Sequence, residues 1–295
     1  MTLLLRTLRD RLLGAADAPL PKKSDRPADA QIVSFPKCGR TWLRLMIGRA
    51  LQNHYQLDHP QILKLILSLE LLAEIDPRVP KITVYHDDDP QWKTVAELET
   101  DKSRFQGMKV IFLVRDPRDV MVSNFFEVKK RVVQYADDMR NWVPEPMATR
   151  IRQYEGELDD WLHESWGSFD TIVAYYNIWA EHHHQARAFL LVRYEDLHAQ
   201  AATELKRIFE FLDIDGVSDA AMAEAVEFAQ FQNMRKMETQ DTFRMNALRP
   251  VDKADEESYK TRKGKVGGFA EYLSDAQQAA LEQRMKDTLA PMFGY

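Results

Sequence analysis

Residues Gln31 to Leu51, QIVSFPKCGRTWLRLMIGRAL, set a strand, a tight cationic loop and a helix end to end, an order that few folds accommodate. Ile32, Val33, Ser34 and Phe35 form a short apolar, partly β-branched run that reads as a buried strand. Pro36 has no N–H to give a ladder and ends it. From Thr41 the residues Trp42, Leu45, Met46 and Ala50 fall at helical spacing, with Arg40 or Thr41 at the start. The loop between them, Pro36-Lys37-Cys38-Gly39-Arg40, carries one glycine and two cations. A helix N-terminus in that place offers unpaired N–H groups and a dipole that favours an anion. Gly39 lets the backbone close on the anion, and Lys37 adds a full charge. This is not the Walker A order G-x-x-x-x-G-K-[ST], because the lysine precedes the only glycine. An ordinary βα turn with a surface Lys and Arg would have the same composition.

The strand–helix alternation continues along the chain. A helix is expected over Ile62–Ile75, closed by Pro77 and Pro80, then a strand over Lys81–Tyr85 that ends in His86-Asp87-Asp88-Asp89. Lys109–Val114 is a strongly apolar strand, and Val120–Lys129 a helix opening at Asp119. Further helices are expected over Thr171–Glu181, Ala202–Leu212 and Asp219–Ala229, the last two parted by a turn at Asp215-Gly216, with a strand over Phe189–Tyr194. Such alternation implies an α/β fold, a mainly parallel sheet flanked by helices. The aromatic, Pro-interrupted stretch around 130–167 reads as an insertion on the acceptor side.

Two further anion signals follow the first. Arg115 stands just past the carboxyl end of the Lys109–Val114 strand, where ligands gather in open α/β sheets, and Ser123 lies in the next helix. A helix start held by Arg118 paired to Asp116 or Asp119 is the alternative there. Arg262-Lys263-Gly264-Lys265-Val266-Gly267-Gly268 puts three cations and three glycines in seven residues, suited either to a lid over an anion or to a solvated turn.

Taken in order, these segments resemble the PAPS-dependent sulfotransferases. Pro36-Lys37-Cys38-Gly39-Arg40-Thr41-Trp42 is similar to the family's PKSGTTW loop, with Cys38 where Ser is usual and Arg40 where Thr is usual. Arg115, Pro117, Arg118, Asp119 and Ser123 match the 3′-phosphate segment R-[ND]-P-[KR]-D-x-x-x-S. Arg262, Lys263, Gly264 and Gly267 match R-K-G-x-x-G-D-W, but Gly268-Phe269 replaces Asp-Trp. Tyr194, in RYEDL, and Phe231, in FQNMRKME, resemble the aromatics beside the donor's adenine. The likeness runs from about Gln31 to Phe269. It implies a P-loop NTPase-like sulfotransferase fold over 31–295, preceded by a helix and linker over 1–30. It also implies a donor site made of Lys37, Cys38, Gly39, Arg40, Thr41, Trp42, Arg115, Ser123, Tyr194, Phe231, Arg262, Lys263 and Gly264. PAPS is the implied donor and PAP the product, with no metal required.

Two separated cationic sites suit a nucleotide phosphorylated at both 5′ and 3′ positions, whereas ATP would gather its cations, and Mg²⁺ ligands, along one polyphosphate. Lys37 is the candidate for stabilising the leaving oxygen. His86, at the end of its strand, is the candidate general base; the family's base is a His in K-[ST]-H, and here Val84-Tyr85-His86 keeps the His but loses the preceding Lys. Asp87 or Asp88 is expected to raise or orient its imidazole. His182-His183-His184 cannot converge on one ion from consecutive helical positions, and the aspartate triple lacks partner ligands.

With 40 basic against 46 acidic residues, net −6, the chain lacks the basic excess of a nucleic-acid binder, so its anion sites are local. Its single cysteine, Cys38, allows no internal disulfide, which fits a reducing, cytoplasmic setting. Ile62–Ile75 contains Lys64, Glu70 and Glu74 and does not read as a membrane span. The basic amphipathic stretch 1–14 suits either a weak membrane-surface contact or packing on the domain. The acceptor is expected to be a small molecule, lipid or glycan with a hydroxyl or amine, bounded by Leu57–Ile75, the residues after His86, and Val132–Trp166. A small-molecule kinase with a variant loop and a non-enzymatic PAP-binding protein are the rival readings. The dimer motif of cytosolic members is not visible in GGFAEYLSDAQQ.

Overall fold

A computed structural model describes residues 19–141 and 143–295. The stretch 1–14 and Trp142 lie outside the described residues. Strands β1 (Ala30–Val33), β2 (Ile82–Tyr85), β3 (Lys109–Val114) and β4 (Ala188–Arg193) form a sheet in the order β2-β1-β3-β4, every pairing parallel. All four β1 residues are buried and so are the last five of β3, as a sheet covered on both faces requires. The sheet is flanked by α1 (Arg40–Tyr55), α2 (Pro117–Phe126), α3 (Phe169–His182), α4 (Tyr194–Phe211), α5 (Asp219–Phe228), α6 (Phe231–Thr239) and α7 (Asp275–Thr288). The α/β architecture is as the sequence implies.

The chain leaves β1 toward β2 on one side, and β3 toward β4 on the other. The crevice therefore opens beyond the carboxyl ends of β1 and β3, the switch point where ligands of such sheets bind. Gly39, at φ 94, turns the loop into α1. At its middle, Gly48 lets α1 approach the backbone of Ile66 so closely that a Cβ would lie 2.0 Å from that carbonyl oxygen.

Local readings needed correction in three places. The expected helix Ile62–Ile75 is two short ones, Ile62–Leu65 and Leu69–Leu72, because Leu65, Ile66 and Leu67 are all buried and a single helix would turn one of three neighbours outward. Helix α2 opens at Pro117 under an Asp116 cap that accepts from the Arg118 N–H at 2.9 Å, so Asp119 lies inside the helix and faces the core. A π-helical turn, Glu127–Arg131, extends it. Helix α4 begins at Tyr194 rather than Ala202; Glu195 and Asp196 complement its N-terminus, and a break at Gln200 marks where the later start was read. Within 130–167, Trp161 is buried and Trp166 stacks on Trp92 at 5.7 Å, so these indoles brace the core.

Candidate active site

A cavity of about 320 Å³ lies at the crevice, and every sequence-predicted site residue except Cys38 lines it. Cys38 faces the other way. Its Sγ lies 3.2 Å from the Tyr176 hydroxyl, and burial pushes the thiol up to about 12, so a contact from this residue to a ligand is left to its backbone. The positive φ of Lys37, 73°, produces that inward turn.

Lys37 and His86 line it together. The Lys37 ammonium donates to Glu127 at 2.6 Å, from the π-turn below α2. Glu127 also faces Arg131 at 3.2 Å and Lys260 at 3.4 Å. Burial lowers Lys37 to about 7 despite the Glu127 charge. Burial opposes the charge of Glu127 too, yet Lys260, Lys37 and Arg131 together hold its carboxyl well below the usual range. The site thus holds three cations on one anion, ready to accept further negative charge.

The His86 ring is fixed by two contacts. Its Nδ1 lies 3.1 Å from the Ser34 carbonyl, which accepts the ring proton and leaves Nε2 as the basic nitrogen. Arg40 Nη2 donates to Nε2 at 2.5 Å. Burial, then the Arg40 charge, hold the imidazole well below its ordinary value. The expectation that Asp87 or Asp88 raises or orients it does not hold. Asp87, Asp88 and Asp89 run through positive φ, and the turn carries Asp87 into the interior, against Lys102 at 3.0 Å, Arg104, and the Trp179 N–H at 2.9 Å. Asp88 pairs with Lys93. What orients the ring is backbone, with Tyr175 anchoring the His86 carbonyl at 3.0 Å.

The Arg115 guanidinium donates to the Lys37 carbonyl at 3.4 Å and lies 4.3 Å from the Tyr194 ring centre and 3.1 Å from Asp119. Asp119 accepts the Gly267 and Phe269 N–H groups, each at 2.9 Å, and Arg115 donates to the Lys265 carbonyl at 2.8 Å. These bonds tie the 262–269 loop down over α2. Arg118 is held by Asp116 at 2.7 Å and lies over Phe269 at 4.3 Å, so it fastens the helix start while Arg115 faces the cavity. Ser123 lines the same cavity.

Aromatic walls line the cavity as well. Trp42 meets Tyr194 edge-on at 5.5 Å. Gly39 is required beneath Tyr194, where a Cβ would come within 2.6 Å, and Gly264 beneath Phe231, where it would come within 2.1 Å. Arg262 is held by Glu257 at 3.1 Å and by Tyr272, and Lys263 by Glu271 at 3.3 Å. Arg40 Nη1 and Arg115 Nε are buried without a hydrogen-bond partner. Flat aromatic walls with orphaned guanidinium donors fit a planar base carrying separated anions.

The sequence reading missed Glu127, Lys260 and His198. Lys260 continues the cationic run of the Arg262 loop, a signal that was present; Glu127 and His198 sit mid-helix with nothing local to mark them. Among the described residues, no group of three or more His, Cys, Asp or Glu is placed to hold a metal ion, and no helix is long and apolar enough to cross a membrane.

Residues 27–293 match the family model described as a sulfotransferase domain. The chain belongs to the sulfotransferase domain family. As a member it is a PAPS-dependent sulfotransferase. It is 26% identical over 289 residues to cytosolic sulfotransferase 16 of Arabidopsis thaliana, covering 89% of this chain and 78% of that one. It is 23% identical over 273 residues to cytosolic sulfotransferase 7 of the same plant, covering 87% and 78%. Its fold is similar to that of mouse sulfotransferase SULT7A1 complexed with PAP, with a TM-score of 0.55 and 22% identity over 95% of this chain and 88% of that one. It is likewise similar to retinol dehydratase in complex with androsterone and inactive cofactor PAP, with a TM-score of 0.56 and 18% identity over 95% and 85%.

Proposed function

We propose that this sulfotransferase moves the sulfuryl group of PAPS to a hydroxyl or amine of a small-molecule acceptor, with His86 as general base and Lys37 at the leaving phosphate. The observation that supports this most is one cavity lined together by Lys37, His86, Arg115 and Ser123. Lys37 and His86 suit the 5′ phosphosulfate and Arg115 and Ser123 the 3′ phosphate, with Tyr194, Trp42 and Phe231 along the adenine. Arg262, Lys263 and Gly264 close the loop side, and the backbone N–H groups from Gly39 to Thr41 meet the 5′ phosphate. The donor supplies an activated sulfuryl group, whose transfer in line leaves charge on the bridging oxygen.

The chain's own contribution is electrostatic and protonic. Lys37 is buried, so its charge acts in a medium of low dielectric, where one such donor is worth ~3–4 kcal/mol of barrier. His86 Nε2 takes the acceptor proton, and Nδ1 keeps its own on Ser34. Arg40 must leave Nε2 first, and an incoming sulfuryl oxygen gives its guanidinium a stronger partner than the imidazole. The positive charge is taken from the protein, since Lys37, Arg40 and Lys260 all line the cavity, and a metal is assigned no role. Phenolic, lipid and glycan acceptors all satisfy this chemistry, and the segment around 130–167 is proposed to border the acceptor.

The test is His86→Ala with labelled PAPS. Turnover is expected to fall ~10²–10⁴-fold while PAP affinity stays within a factor of a few. Turnover at the wild-type rate in that variant removes His86 from its role.

A further inference from the structure

Lys260 lines the same cavity as Lys37 and His86. Its ammonium lies 3.4 Å from Glu127 Oε2, the oxygen that accepts Lys37 at 2.6 Å, so the two ammonium groups stand side by side. Its backbone is pinned from behind. The Lys260 N–H donates to Glu238 at 2.6 Å, and Glu238 also accepts the Thr261 N–H at 2.8 Å and the Thr261 hydroxyl at 2.6 Å. Glu238 is itself fully buried. The loop is thus anchored at Lys260 by Glu238 and at the Lys265 carbonyl by Arg115.

Glu127 cannot neutralise all the charge around it. Arg131 has a second acid, Glu238 at 3.5 Å, and the Ser258 carbonyl at 2.6 Å. Lys37 and Lys260 have no other acid within ion-pair distance among the described residues, so one carboxylate serves two ammonium groups. Lys37 holds it at the shorter distance. Lys260, with three protons to donate and one long contact, is the less satisfied of the two. Its side chain is 28% exposed against 7% for Lys37, so the surplus charge is on the lysine that is more open to the cavity. Burial, then the Arg40 charge, and the Lys260 charge with them, hold the His86 imidazole down, so the Lys260 charge is felt at the base. The residues before the base, Val84 and Tyr85, bring no cation of their own.

Within PAPS the sulfuryl group lies outward of the bridging oxygen assigned to Lys37. A second ammonium beside Lys37, and more open, meets the next anionic atoms along, which are the sulfuryl oxygens. PAP ends at the phosphate and lacks them.

We infer that Lys260 is a further catalytic residue, one that donates to a sulfuryl oxygen of PAPS during transfer. This rests on the sulfotransferase reading above. As the acceptor oxygen bonds to sulfur and the bond from sulfur to the bridging oxygen breaks, the electron pair goes to the 5′ phosphate and the acceptor proton to His86. Lys260 gives up no proton; it offsets the charge on the sulfuryl oxygens as the nucleophile arrives. Three sulfuryl oxygens leave separate places for Arg40 and Lys260.

The test pairs Lys260→Gln, which can still donate to Glu127, with Lys260→Arg, which keeps the charge. With PAPS, kcat is expected to fall ~10²-fold in Lys260→Gln and to recover at least ~10-fold of that in Lys260→Arg. PAP affinity should stay within a factor of about three in both. The ratio of PAPS to PAP affinity, measured without acceptor, should fall at least ~10-fold in Lys260→Gln, which a purely structural role would not produce. A kcat in Lys260→Gln within about three-fold of wild type overturns the inference. So does a loss of PAP affinity as large as the loss of kcat, which would put Lys260 on a phosphate. If Lys260→Gln does not fold, acylation of the wild-type lysines read by mass spectrometry decides. Protection of Lys260 by PAPS beyond that by PAP supports the inference, and equal protection overturns it. A failure of the sulfotransferase reading is separate: it appears as no transfer from PAPS by the wild-type protein, whereas failure of the inference leaves that transfer intact.

Discussion

Replacing Glu127 by Gln keeps the shape and the hydrogen-bonding atoms but removes the anion that Lys37, Arg131 and Lys260 share. Lys37 at 2.6 Å and Lys260 at 3.4 Å would then have no acidic partner among the described residues, while Arg131, 3.2 Å from Glu127, would keep Glu238 at 3.5 Å, in a place largely shut off from water. A single contact at such distances is worth several kcal/mol even with an effective dielectric of about 20. Breaking a buried pair from one side costs ~3–5 kcal/mol net. For a domain of this size that is on the order of 10 °C in Tm. The sign with pH follows from the carboxyl, which is held well below its ordinary value: its contribution is present above the unfolded carboxylate pKa and is lost as pH falls through the folded one. The deficit of Glu127→Gln relative to wild type is therefore full at pH 7 and shrinks in acid. PAP should shift the Tm of the variant more than that of wild type, because phosphate oxygens replace the missing anion. Differential scanning calorimetry at about pH 3.5 and at about pH 7, with and without PAP, measures all of this. A Tm within 2 °C of wild type at pH 7 would refute the account of this cluster.

Other outcomes follow from the same geometry. Lys37, at about 7 in the free protein, loses its charge as pH rises, so kcat/KM for PAPS should decline above about pH 7 while kcat, which reports the loaded enzyme, keeps its plateau further into alkali. Because His86 is held well below 6.5, no loss of kcat/KM is expected as pH falls through 6.5, and an acid limb centred there would contradict its burial. Arg115→Ala should weaken PAP by ~1.5–3 kcal/mol and leave adenosine 5′-phosphate nearly unaffected, read by calorimetry on both ligands. Gly264→Ala, whose new Cβ would sit 2.1 Å from the Phe231 ring, should weaken PAP binding through ~1–3 kcal/mol of overpacking at that wall.

Much of this was legible in the sequence because the informative residues lie where strands end. Arg115 and His86 each follow a strand directly, and the Lys37 loop follows β1, so a parallel sheet alone brings them together. The family resemblance gave Tyr194 and Phe231 their places, which no local pattern did, and favoured a lid over a solvated turn for the Arg262 loop. What stayed hidden depends on tertiary contact. Glu127 sits mid-helix and meets Lys37 across 90 positions of sequence. The direction of Cys38 depends on one backbone dihedral, and Asp87 is turned inward by three successive positive φ values that composition does not announce. The split of Ile62–Ile75 has the same origin: an apolar run fixes burial but leaves the number of helical pieces to the neighbours that bury it.

The central claim is that Lys37 and Arg115 serve opposite ends of one doubly phosphorylated nucleotide. Isothermal titration of the protein with adenosine 3′,5′-bisphosphate and with adenosine 5′-phosphate tests it most directly. The bisphosphate is expected to bind at least ~10-fold tighter, since the 3′ phosphate adds charge-assisted bonds at Arg115. Equal affinities would contradict the claim.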